Sequence, residues 1–163
     1  MTSSVVNPYK SFLNGRDYRG IIAETPDRLS ELAERIGPVG LDRSYAPGKW
    51  PASSILAHLA DCEIAFGFRL RQAVAEPHHV IQPFDQEAWA SLYPHMNTNR
   101  ALDVFRLLRG WNLTFVAALK PDAFSKPVTH PERGEMTVQT LLETMAGHDL
   151  NHLRQLETIA SNA

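Results

Sequence analysis

Apolar residues recur every three to four positions in four separate stretches of this sequence, and no stretch of useful length alternates with the two-residue period of a strand. The first stretch runs from Asp17 to about Ile36, with Ile21, Ile22, Leu29, Leu32 and Ile36 on one face. Pro26 interrupts it, so a kink or two abutting helices is expected, with Thr25 able to cap, before Gly37-Pro38 ends the segment. The second starts with Pro51 in its first turn and carries Ile55, Leu59, Cys62, Phe66 and Leu70 to about Val74. The third spans Thr98 to Lys120, with Leu102, Phe105, Leu108, Leu113, Val116 and Leu119 as its candidate core. The fourth begins at Thr137, a good N-cap, and reaches about Ala160. Four long helices joined in this way predict an all-α four-helix bundle.

Between them, "PFDQEAWASLY" reads as a short helix with Asp85 near its start, and "DAFSKPVTHPERGEM" as a long loop. The aperiodic start predicts a flexible arm over residues 1–16 ahead of a single domain over 17–163. Trp50, Trp89 and Trp111 are expected as core anchors, and His78 and His79 as loop residues. The formal net charge is −2, from 16 basic and 18 acidic residues, which gives no electrostatic footprint for nucleic acid or an anionic membrane. The single Cys62 excludes an internal disulfide framework and fits a reducing compartment. With no signal-like N-terminus and no run long enough for a membrane helix, a cytoplasmic protein is expected.

The last helix contains "AGHDLNHLRQLE". At about 100° per residue, His148 lies about 20° from Leu141 and about 40° from His152, so both imidazoles belong on the inward face, one turn apart. Gln155 shares that face, whereas Asp149 and Asn151 turn away towards supporting or surface roles. Histidines at i, i+4 can chelate one ion through ring nitrogens about 2.0–2.1 Å away. Two ligands alone are a weak signal, and the plainer alternative is two partly buried, hydrogen-bonded histidines lining a bundle. His58, on the stripe of the second helix, can face the pair if the two helices are neighbours, and bundles build metal sites from facing helices in this way. Cys62, one turn after His58, is a competing ligand or simple packing. Asp61 and Glu63 could orient His58 or form interhelical salt bridges, and the loop before the last helix could carry His130 or Glu132 to a ligand. No phosphate loop, nucleophile elbow or CxxC motif occurs.

"APGKWPASSILAHLADCE", "IQPFDQEAWA" and "HPERGEMTVQTLLETMAGHDLNHLRQLE" together resemble the DinB-like (YfiT-type) metal-dependent enzymes, over about residues 17–160. The resemblance implies an up-down-down-up four-helix bundle, a homodimer, and a divalent metal on His58, His148 and His152. It also implies a reaction class, either thiol S-transfer with a low-molecular-weight thiol or hydrolysis. One departure is Pro51, where the family often places a capping Ser or Thr. All-nitrogen ligands favour zinc or nickel, and three protein ligands leave a position open to water or a small-molecule substrate. Gln155, His130 and Glu132 are the candidates for pocket contacts or proton transfer. The rival from a different class is a non-catalytic, stress-associated bundle that binds a metal or small ligand.

Overall fold

Asp17, Asn97 and Thr137 each accept a hydrogen bond from a backbone N–H in the first turn of the helix they precede. This starts α2 (Tyr18–Gly40), α5 (Thr98–Ala117) and α6 (Val138–Ser161) where the sequence places them. A computed structural model of the chain describes residues 7–162. In it α3 (Ala52–Ala75) has no side-chain cap, because Pro51 occupies the N-cap position. The carbonyls of Arg43 and Leu41 instead accept from the N–H groups of Ala52 and Ser53, each at 3.0 Å, so loop backbone does the capping. Asp85 caps the short α4 (Gln86–Ala90) by accepting from Ala88 N.

Helix α2 continues through Pro26 with helical backbone angles, so two helices do not abut there, and it breaks instead at Gly37, whose φ of 62° is left-handed. A proline removes the N–H that would bond the carbonyl four residues earlier, here that of Ile22. Arg109 Nη1 donates to that carbonyl at 2.8 Å, so the oxygen freed by Pro26 is satisfied from another helix. Thr25 is no cap either; its hydroxyl donates to Ile21 O at 2.8 Å.

The four long helices form an up-down-down-up bundle in which α2 lies against α6, α3 against α5, and α3 also against α6. Two apolar clusters fill it, one around Ile22, Phe66, Leu142 and Met145, the other around Leu29, Leu59, Phe105 and Leu156. Each of the four long helices contributes to a buried polar layer, comprising Thr25, Glu63, Arg109, Asn112 and Asp149 besides His58, His148 and His152.

The structure differs from expectation in four further ways. Residues 126–137 are a hairpin and not a plain loop, with β2 (Pro127–His130) antiparallel to β3 (Gly134–Thr137). Gly134, at φ 82°, takes the left-handed conformation that closes the turn. Strand β1 (His79–Val80) pairs parallel to β2, so His79 is a buried strand residue. Trp89 and Trp111 are not core anchors, being 38% and 63% exposed, while Trp50 is half-buried. Of the expected arm, residues 1–6 lie outside the described residues, but Lys10–Leu13 forms α1, packed on α6 with Leu13 buried. No helix among the described residues is long and apolar enough to cross a membrane.

Candidate metal centre

The contact between α3 and α6 brings His58 opposite the histidines of the last helix. His58 Nε2 is 3.0 Å from His148 Nε2, and His152 Nε2 is 3.2 Å from the same atom. Candidate ligand atoms of all three residues lie within 4.8 Å of one another, and all three rings are buried. Two nitrogens bound to one tetrahedral ion at about 2.0–2.1 Å sit roughly 3.3 Å apart, close to these separations.

Protonation agrees with that arrangement. Burial pushes His58 down to about 3, with the charge of His152 adding to the effect. Burial also holds His148 well below the ordinary histidine value, reinforced by His152, His58 and Arg109. His152 is lowered by burial against the opposing Gln155 hydrogen bond and Asp149 charge. Three neutral imidazoles result, the form that ligates metals. Gln155 Oε1 lies 2.9 Å from His152 Nδ1. A proton on Nδ1 donated to that carbonyl leaves the Nε2 lone pair facing the cluster. His148 Nδ1 is buried without a partner among the described residues. One Nε2 proton cannot satisfy both of His148's imidazole neighbours, whereas a cation at the focus of the three nitrogens would.

Cys62 lies beside this cluster without joining the close set. Its Sγ is 3.4 Å from His58 Nε2 and 3.9 Å from His148 Nε2. Burial pushes its thiol up, helped by the Glu63 charge, so it stays protonated near neutral pH. Glu63 and Asp149 do not orient the histidines. Asp149 accepts from both Arg109 Nη atoms, at 2.7 and 3.1 Å, and from Thr25 at 3.0 Å, while Glu63 accepts from Arg109 at 2.6 Å and Asn112 at 3.1 Å. The apolar period of α5 points to Leu108 and Leu113 and does not reveal this fully buried clamp. The spacing Ala101, Phe105, Arg109, Asn112 is the signal that would have revealed it.

Two clefts reach the cluster. One, of about 450 Å³, is lined by His148, Cys62 and Phe66 and by His130, Glu132 and Arg133 of the hairpin. The other, of about 320 Å³, is lined by His152, Gln155, Trp50 and Tyr45. Tyr9, Gln86 and Glu87 border both. Tyr9 was not anticipated as a site residue; its ring meets that of His148 edge-on at 5.3 Å. The arm reaches this position over Gly147, where a Cβ would fall 2.6 Å from the Tyr9 carbonyl oxygen. The expected second-tier residues are thus placed as a support of His152 (Gln155) and as walls of the larger cleft (His130 and Glu132).

Known proteins share this frame. A relative from Oceanobacillus iheyensis named "Putative metal-dependent hydrolase" is 27% identical over 85% of this chain and 81% of its own. The solved structure of YfiT from Bacillus subtilis, described as "a probable metal-dependent hydrolase with an unusual four-helix bundle topology", superposes with a TM-score of 0.83. That match has 21% identity and covers 89% of this chain and 85% of that one. The mycothiol-dependent maleylpyruvate isomerase structure matches at 0.71 with 14% identity, over 85% of this chain and 59% of that one. At such identities the two structures speak for the fold alone. Residues 21–156, most of the bundle and all three clustered histidines among them, match the DinB superfamily, and the chain belongs to it.

Proposed function

We propose that the protein is a metal-dependent enzyme holding one divalent cation, zinc or nickel, on His58, His148 and His152, and that it transfers a low-molecular-weight thiol to an electrophilic small molecule. The observation that carries this reading is the convergence of three neutral ring nitrogens at 3.0 and 3.2 Å between two open clefts. A bound cation with a free position supplies Lewis acidity, lowering the pKa of a thiol or water that reaches it. The chain's own residues do the rest. Gln155 fixes the His152 ring, and the clefts beside His148 and His152 give two reactants separate approaches to one centre. His130 Nδ1 accepts from Glu132 N–H at 3.2 Å, so its proton resides on Nε2. It is the group placed to exchange a proton with a reactant in the larger cleft, and Glu132 at the exposed mouth relays to solvent. Hydrolysis is the same centre working with water in place of thiol.

A cytoplasmic setting is consistent with the single, unpaired Cys62. The family resemblance and the exposed apolar side chains of α3 and α5 support a homodimer.

One observation favours a non-catalytic metal- or ligand-binding bundle. Both buried carboxylates near the cluster are engaged by Arg109, leaving none beside it as a general base. Tag-free protein reloaded with zinc or nickel is expected to hold about one metal per chain. His58→Ala, His148→Ala and His152→Ala are each expected to lose it. Turnover of thiols with monochlorobimane that vanishes on chelation establishes the transferase; metal binding with no turnover across thiol and ester panels establishes the binding module. Metal retained by His58→Ala overturns the three-histidine assignment.

A further inference from the structure

The larger cleft contains two guanidinium groups that the reading above leaves unused. Arg69 projects from α3 two turns after Cys62, Arg133 comes from the hairpin turn, and both line the cleft that His148 borders. Arg69 Nη2 donates to Gln82 O at 3.2 Å, and its guanidinium lies 5.4 Å from the centroid of the Phe84 ring. These contacts fix the Arg69 head, and its other N–H groups have no hydrogen-bond partner among the described residues. Among the described residues no carboxylate lies within ion-pair distance of either arginine, in contrast to Arg19, Arg28, Arg106 and Arg109. Asp85 at the cleft edge is engaged in capping α4, and Glu87 and Glu132 pair with neither arginine.

The cationic groups also feel one another. His130 is lowered by burial and then by the charges of Arg133 and Arg69. Arg69 is lowered by burial, with Arg133 adding to the effect and Cys62 opposing it. Like charges gathered in a half-enclosed space repel, and an anion placed between them relieves that cost. Phe66, Ile81, Phe84 and Met136 give the same cleft apolar walls, which strengthen any charge-assisted hydrogen bond inside it. At about 450 Å³ the space suits a small molecule.

We propose that Arg69 and Arg133 form a subsite for a carboxylate-bearing small molecule, holding it so that its other end faces His148. A guanidinium fork matches the two oxygens of a carboxylate, and two forks fix a short acid in one orientation. The proposal deepens the metal-enzyme reading, on which it rests for turnover of the acid but not for its binding.

Isothermal titration of the full, zinc-loaded chain with succinate tests it, with uncharged succinamide and inorganic phosphate as comparison probes. Succinate is expected to bind and succinamide not to. Arg69→Gln and Arg133→Gln, each checked for unchanged helicity by circular dichroism, are each expected to weaken succinate by about tenfold or more. Arg133 sits in a surface turn, so its variant keeps the test decisive if Arg69→Gln fails to fold. Succinate binding by a chain that proves unable to hold zinc removes the metal reading and leaves this one standing. Zinc uptake without succinate binding does the reverse. Wild-type affinity in both variants, or equal affinity for succinamide, overturns the subsite; tighter phosphate binding overturns its assignment to a carboxylate.

Discussion

One hydrogen bond decides which nitrogen His152 offers to the centre of the site. With Gln155 Oε1 at 2.9 Å, the proton sits on Nδ1 and the lone pair on Nε2. Gln155→Leu removes the acceptor without disturbing the helix, and is expected to weaken metal binding by about 10–100-fold in competition with a chromophoric chelator. Gln155→Glu keeps an acceptor and is expected to retain most of the affinity. Residues of this kind were legible in the sequence because helical geometry alone places His148, His152 and Gln155 on one face, and His58 on the stripe of its own helix. Arg69, Arg133 and Tyr9 were not legible. Their roles depend on which loop or arm lies over the bundle, and no local period encodes that. Arg109 escaped for another reason: arginines are almost never fully buried unless paired, and its partners lie 40 and 46 positions away in sequence.

Among the elements, α3 and α5 carry the feature that the bundle itself leaves unexplained. Ile64 and Phe68 on α3, with Val104, Leu107 and Trp111 on α5, are between 39% and 73% exposed on two adjacent helices. An apolar surface of this kind marks an interaction face, and in the proposed homodimer it is where the copies meet. Light scattering is expected to report a dimer for the wild type and a monomer for the Leu107→Glu, Trp111→Glu double variant, with helicity unchanged. A variant that remains dimeric sends the interface elsewhere. The long helices themselves were readable from their apolar period, and Thr137 caps α6 as its position suggests. The hairpin was not, because its strands are four residues each and part of the pairing of β2 comes from β1, some 50 residues earlier. Proline 26 misled for a related reason. Its cost is local, whereas its remedy, Arg109 on the Ile22 carbonyl, comes from another helix.

At the scale of the whole molecule, Arg109 joins all four long helices. It sits on α5 and bonds the Ile22 carbonyl of α2, Glu63 of α3 and Asp149 of α6, with no exposed surface of its own. Such a clamp is weak as a source of net stability but costly to break from one side. Arg109→Met strands two buried carboxylates and is expected to cost about 3–5 kcal/mol in urea unfolding. Replacing Arg109, Glu63 and Asp149 together by apolar residues of similar size is expected to recover much of that loss. A triple variant as unstable as the single one would show that the layer contributes more than paired burial. The clamp draws on none of the three clustered imidazoles, and this bears on the order of events in the life of the chain. Zinc fingers cannot fold until their ion arrives, so folding itself waits on supply. In the proposed metal enzyme the helices would pack before any cation is present, and maturation would divide into two stages. The polypeptide would first complete its socket, and whichever suitable ion the cell then makes available would fill it. The identity of that ion is therefore a matter of cellular provision and exchange rate as much as of coordination chemistry.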